Sequence, residues 1–153
     1  MRVDIRPAIY SDIPKLVSLK LLARRENDDP DTARFGGESE YLTAFLEERQ
    51  KVFVQLADRV PIAFCTAREC NVKPFVGYAH IKDLYVHPDW QSKGYGKKLL
   101  MHVLRTMRGS GYTNAMLEAA EENIGARRFY ERFGFEKREN RGLSGYITYT
   151  IDF

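Results

Sequence analysis

The chain has 153 residues, 44% of them apolar and 29% charged, with a formal net charge of +3. That is one domain's worth of chain, expected over residues 1–153 and able to bury roughly two thirds of its unfolded surface, without a run near the ~20 apolar residues that a membrane span needs. The charge is too small and too evenly spread for a basic face, which excludes nucleic acid as the expected partner. It is compatible with a polyanionic small ligand.

The opening "MRVDIRPAIY" carries charges and no apolar core, so no secretory leader is expected there. "VDIRPA" alternates like a first strand. "YSDIPKLVSLKLLARREN" then reads as a helix with Ser11 or Asp12 as N-cap and Pro14 in the first turn; Ile13, Leu16, Val17 and Leu21 fall at helical spacing. A polar loop, "NDDPDTARFGG", leads to a second helix, "EYLTAFLEERQ", with Ser39 as its cap and Tyr41, Leu42, Phe45 and Leu46 on one face.

Three β-rich runs follow, "KVFVQLA", "VPIAFCTAREC" and "FVGYAHIKDLYV", separated by "DR" and "NVKP", and they read as an antiparallel meander. Cys65 and Cys70 lie in the middle run, close together and without a His or Cys at ligand spacing. Reduced thiols of a cytoplasmic protein are expected there, with neither a disulfide framework nor a metal site. Leu99, Leu100, Val103, Leu104 and Met107 then mark a third helix that stops at "GSG". "YTNAMLEAA" is a strand, "NIGARRFYERFGF" a short helix ending at Gly134, and "GYITYTIDF" a closing strand and candidate homodimer edge. The expected fold is α/β with a mixed, mostly antiparallel sheet flanked by helices, in the order β-α-α-β-β-β-α-β-α-β.

Between "HIKDLYVHP" and the third helix lies "QSKGYG", Gln91 to Gly96. A loop feeding a helix start leaves about four backbone N–H groups without intrahelical partners at the positive end of the dipole. Gly94 and Gly96 let an anion approach the main chain, and Lys93, Lys97 and Lys98 add charge where the dipole alone disfavours cations. Taken alone, the stretch reads equally as a strand-to-helix turn with solvated lysines. It is neither a Walker A loop nor a dinucleotide fingerprint, since the spacing of both is absent.

"LYVHPDWQSKGYGKKLL" resembles the central motif of the GCN5-related N-acetyltransferases, with their Q/R-x-x-G-x-G/A loop; "NIGARRFYERFGF" resembles the motif that follows it, and "IRPAIYSDIPKL" the usual opening. The resemblance runs through the whole chain in order. It implies acetyl-CoA as acetyl donor, with Gln91, Ser92, Lys93, Gly94, Tyr95, Gly96 and Lys97 as the pyrophosphate loop. Leu84, Tyr85 and Val86 would pair with the pantetheine arm, one N–H polarising the thioester carbonyl. Asn123, Ala126 and Tyr130 would form a second cofactor wall. The fourth and fifth strands are expected to splay and admit the pantetheine like an added strand.

Acetyl transfer to an amine needs a neutral amine, a stabilised oxyanion and a protonated leaving thiolate. With a pKa near 10.4, only about one lysine-like amine in 2,500 is neutral at pH 7, equivalent to roughly 5 kcal/mol, so a base or a water chain is required. Asp83, beside "LYV", is the first candidate, with His80 and Glu118 behind it; the alternative for Asp83 is an exposed strand carboxylate paired with Lys82. The resemblance implies that Tyr130 protonates the thiolate; the alternative is packing beside Phe129 and Phe133. The acids of "ENDDPD" and "GGESE" and the aromatics Phe35, Tyr41 and Trp90 could shape an acceptor pocket, while His87 and His102 read as loop and helix-face residues. The expected activity is direct N-acetylation of a primary amine, a small cationic one first. The alternatives are acetylation of protein N-termini or lysines, and an acyl-CoA-binding regulatory module without turnover.

Overall fold

The computed structural model describes residues 1–23, 37–48, 50–139 and 145–153. Among these, the strands β1 (Val3–Pro7), β2 (Lys51–Ala57), β3 (Val60–Glu69), β4 (Ala79–Val86), β5 (Asn114–Ala120), β6 (Glu136–Lys137) and β7 (Tyr146–Asp152) form one mixed sheet in the order β1-β2-β3-β4-β5-β7-β6. The helices are α1 (Ile13–Ala23), α2 (Glu38–Glu47), α3 (Tyr95–Gly109) and α4 (Ile124–Phe133). The chain divides into two compact units: Met1–Ala67 with Asp83–Val103, and Arg68–Lys82 with Leu104–Phe153.

In the first unit, β1, β2 and β3 are antiparallel neighbours. Asp58 and Arg59 turn the β2–β3 hairpin with φ of 46° and 70°, the paired left-handed conformation that matches the twist of the strands it joins. Alternate residues of β2, Val52, Val54 and Leu56, pack with Ile13, Leu16 and Leu19 of α1 and with Tyr41, Leu42 and Phe45 of α2. Burying each such side chain stabilises by about 1.5–3 kcal/mol. Asp12 anchors the entry to α1: its carboxylate accepts from the Ile9 amide at 2.8 Å and from Arg6 Nη1 at 2.7 Å and Nη2 at 3.0 Å.

The stripe of α1 differs from the expected one. Leu21 is half exposed, and the inward position is taken by Lys20, which is fully buried. Periodicity counts apolar residues, and here a charged residue occupies the core side. Likewise Gly37, not Ser39, precedes α2, so Ser39 lies inside the helix. The "NDDPDTARFGG" loop up to residue 36, including Phe35 and the "ENDDPD" acids, lies outside the described residues, as does most of "ENRGLSG".

In the second unit, β5 and β7 are antiparallel from Asn114↔Asp152 to Ala120↔Tyr146. The parallel ladder of β4 with β5 comprises only Ala79↔Ala115 and His80↔Met116. Asn123 caps α4 by accepting from the Ala126 amide at 3.2 Å, and Gly134, at φ 121°, ends it. The short strand β6 was not expected, and it lies along part of the closing strand expected as a candidate dimer edge. Glu136↔Thr150 and Lys137↔Tyr149 already pair with β7 there. No helix among the described residues is long and apolar enough to cross a membrane.

Candidate active site

The residues that end β4 and begin α3 are continuous in the first unit. After Val86 the chain leaves the sheet with the His87 amide bonded to the Ile62 carbonyl at 2.7 Å. A 3-10 turn over Pro88–Trp90 is capped by the His87 imidazole, whose Nδ1 accepts from the Asp89 amide at 3.1 Å. His87 therefore shapes the loop.

Gln91 folds back, its Nε2 donating to the Val86 carbonyl at 2.9 Å, and Lys93 Nζ donates to the Asp89 carbonyl at 3.0 Å. These two bonds tie the loop to the strand it leaves. Ser92 and Gly94 both adopt left-handed backbone, φ 61° and 87°. Only glycine does so without cost, so Ser92 stores on the order of 1 kcal/mol in the turn. A Cβ at Gly94 would meet nothing within 4 Å; the glycine is required for its φ and leaves open space above the main chain.

The first backbone bond closing α3 runs from the Lys98 amide to the Gly94 carbonyl, at 3.2 Å. The amides of Tyr95, Gly96 and Lys97 precede it, without intrahelical acceptors, at the positive end of a 15-residue helix. Lys93 lies over the Trp90 ring at 5.7 Å and Lys98 over the Tyr95 ring at 5.8 Å, with Trp90 and Tyr95 edge to face at 5.5 Å. Trp90 thus belongs to the loop's frame. Among the described residues this is a site able to hold a phosphate by main-chain donors and lysine charge together.

On β4, Leu84 and Val86 are partly exposed while Asp83 and Tyr85 are buried, the alternation expected of a strand. Asp83 is not an exposed carboxylate. It accepts the Tyr41 hydroxyl at 2.9 Å and that of Thr66, and its Oδ1 lies 3.4 Å from Lys20 Nζ. Lys20 also contacts Glu38 Oε2 at 2.9 Å and sits 4.7 Å and 5.6 Å from the ring centres of Tyr41 and Tyr85. Sequence reasoning missed Lys20 and Thr66, because each sits in an otherwise apolar run. The signal available was a lysine on the inner side of α1's stripe. Burial, and next the nearby Asp83 carboxylate, pushes the Cys65 thiol far up, so it stays protonated. His102 packs its ring edge-on against Phe53.

In the second unit, His80 Nε2 lies 3.5 Å from Glu118 Oε1. Burial lowers the His80 pKa, opposed by Glu118, so the imidazole is neutral near pH 7. Tyr130, partly exposed on α4, is framed by the rings of Phe129, Phe135 and Tyr149 at 5.3, 5.8 and 6.4 Å. Tyr149 is held in turn, donating to Glu131 at 2.6 Å and accepting from Arg127 at 3.2 Å.

Known proteins share this sequence pattern and architecture. A protein of Trypanosoma brucei brucei, a glucosamine 6-phosphate N-acetyltransferase, is 32% identical over 62 residues, which is 40% of each chain. The matched stretch thus spans two fifths of that relative's length. The PaiA N-acetyltransferase of Thermoplasma acidophilum, solved in complex with coenzyme A, superposes with a TM-score of 0.83 over 100% of both chains at 17% identity. The ribosomal-protein-S18-alanine N-acetyltransferase of Escherichia coli gives 0.77 over 99% of this chain and 94% of its own, at 19% identity. These two likenesses concern the fold. A model of the acetyltransferase (GNAT) family matches residues 17–135, well over half of the sequence, and the chain belongs to that family.

Proposed function

We propose that the protein is an N-acetyltransferase that moves the acetyl group of acetyl-CoA directly to a primary amine. The observation that carries this reading is the loop from Gln91 to Lys97. Its amides at the start of α3, its left-handed turns at Ser92 and Gly94 and its lysines support the reading of a cradle for a pyrophosphate. Leu84, Tyr85 and Val86, immediately before the loop, are the proposed partners of the pantetheine arm, and Asn123 and Ala126 the proposed second wall.

In the proposed reaction the amine nitrogen attacks the thioester carbonyl, the C–S bond breaks, the nitrogen loses a proton and the departing sulfur gains one. Tyr130 is the proposed donor of that proton, its ring framed by aromatic neighbours and its position partly exposed. For the proton leaving nitrogen, the observations favour His80 with Glu118. His80 is neutral and can accept, whereas the Asp83 carboxylate already faces an ammonium and two hydroxyl donors. A covalent route through cysteine is disfavoured by the buried, protonated Cys65. The free thiols Cys65 and Cys70 also suit a reducing compartment, the cytoplasm.

The acceptor in this reading is a small amine. The second reading is a protein N-terminus or lysine, and the relatives named above act on an amino sugar phosphate and on a ribosomal-protein alanine. A homodimer through the sheet edge formed by β7 and its two-residue neighbour β6 is the proposed assembly. The test is mass spectrometry of products after incubation with acetyl-CoA and a mixed amine and peptide library, with free CoA followed by a thiol reagent. The reading expects CoA release matched to an acetylated amine and strongly reduced in Tyr130→Phe. Tight acetyl-CoA binding without acetylation of any amine would instead make the protein an acyl-CoA-binding module.

A further inference from the structure

The acetyl-transfer reading makes no use of Lys20, although its ammonium is fully buried. An ammonium withdrawn from water must be matched by charge and by ring faces. Around Lys20 Nζ stand Glu38 Oε2 at 2.9 Å, Asp83 Oδ1 at 3.4 Å, and the rings of Tyr41 and Tyr85. Two carboxylates and two phenol rings are what recognises an alkylammonium group in general. The walls come from α2 and β4, and the occupant alone comes from α1. Thr66 and Tyr41 hold Asp83 in place by their hydroxyls, so the wall is fixed independently of the lysine. Glu38 reaches the surface, with a tenth of its side chain exposed.

Asp83 and Tyr85 lie on the same strand as Leu84 and Val86, and Val86 is tied to the cradle through Gln91. The box and the donor loop are thus consecutive features of one segment. We propose that Tyr41, Tyr85, Glu38 and Asp83 form an ammonium-recognition box that Lys20 fills from within, making Lys20 a determinant of acceptor specificity. With the box filled, the protein favours monoamines and rejects α,ω-diamines whose second ammonium would need that position. This inference rests on the reading of the chain as an amine acetyltransferase, but the box itself is testable without turnover.

The experiment uses the full chain carrying Lys20→Ala, with n-butylammonium as probe and tetramethylammonium at equal ionic strength as control. The melting temperature of the variant rises further with n-butylammonium than that of the wild-type protein, whose response is confined to ordinary acceptor binding, and neither responds to the control. Adding Asp83→Asn to the variant abolishes the rise. Should Lys20→Ala not fold alone, its refolding yield with and without n-butylammonium is the readout, and recovery supports the box. In acetylation assays the preference for 1,4-diaminobutane over n-butylamine increases by roughly tenfold or more in the variant, the scale of a desolvated cation–ring contact. Absence of rescue, or an equal response of the wild type, overturns the box while leaving the acetyltransferase reading standing. Rescue without acetylation of any amine by either protein supports the box and overturns that reading.

Discussion

Replacing Lys20 by methionine keeps the length of the side chain and removes the ammonium from between Asp83 and Glu38. Removing one partner from a buried pair costs about 3–5 kcal/mol, because the other charge is left in the interior. Asp83 retains the hydroxyls of Tyr41 and Thr66, which places Lys20→Met at the lower end, about 3 kcal/mol. Asp83→Asn leaves Lys20 with Glu38 at 2.9 Å and costs about 2–3 kcal/mol. The double variant leaves neither the ammonium nor the Asp83 charge, so it costs less than the sum of the two, with a coupling of about 2 kcal/mol. For a chain of this size, 3 kcal/mol corresponds to roughly 6–12 °C in Tm. Trp90, the single tryptophan, lies in the first unit and reports its unfolding in urea by fluorescence. A cost for Lys20→Met below about 1 kcal/mol, the value of an exposed pair, or additivity of the two substitutions, would refute the reasoning.

The remaining predictions concern titration and thiols. The His80 pKa is lowered by burial from its ordinary value of 6.5, so the acid limb of kcat/KM lies below pH 6.5 and disappears in His80→Gln; an unchanged limb in that variant would remove His80 from the reaction. The same shift makes the His80 contribution to stability complete above pH 6.5 and lost as pH falls through the folded value. The hydrogen bond from Arg6 holds the Asp12 carboxyl below its ordinary 3.8. Its stabilisation is therefore present above pH 3.8 and lost on acidification through the folded value, and Asp12→Asn flattens that slope. Arg6 is two-fifths exposed, so screening limits the effect to about 1 kcal/mol, read from unfolding midpoints between pH 2 and 6. Cys65 stays unmodified by a thiol reagent until the protein unfolds, and Cys65→Ala retains turnover; loss of turnover with retained fold would revive a covalent route.

How much of this was legible in the sequence differs by element. The α3 stripe from Leu99 to Met107 is buried throughout, because five residues at helical spacing leave one solution. Strand β2 coincides with "KVFVQLA", bounded on one side by the Asp58–Arg59 turn. The family motif also located the loop, since left-handed turns need glycine or cost strain. Lys20 was only half legible for the opposite reason: its place on the inner side of the α1 stripe can be read, but burial of a charge is decided by partners far along the chain, here Glu38 and Asp83. Tyr41 shows how two readings combine. It lies on α2's apolar face as expected, yet its hydroxyl bonds Asp83. Strand β6 escaped because two residues carry no period.

The central claim is that the start of α3 holds the pyrophosphate of acetyl-CoA, and calorimetric titration of acetyl-CoA into wild-type protein and Gly94→Glu tests it most directly. The glutamate would require left-handed backbone at φ 87° and would put a carboxylate where the anion binds. The account predicts saturable one-to-one binding by the wild type and a loss of affinity of about tenfold or more in a folded variant, at least 1.4 kcal/mol. Equal affinity of the two proteins for acetyl-CoA would contradict it.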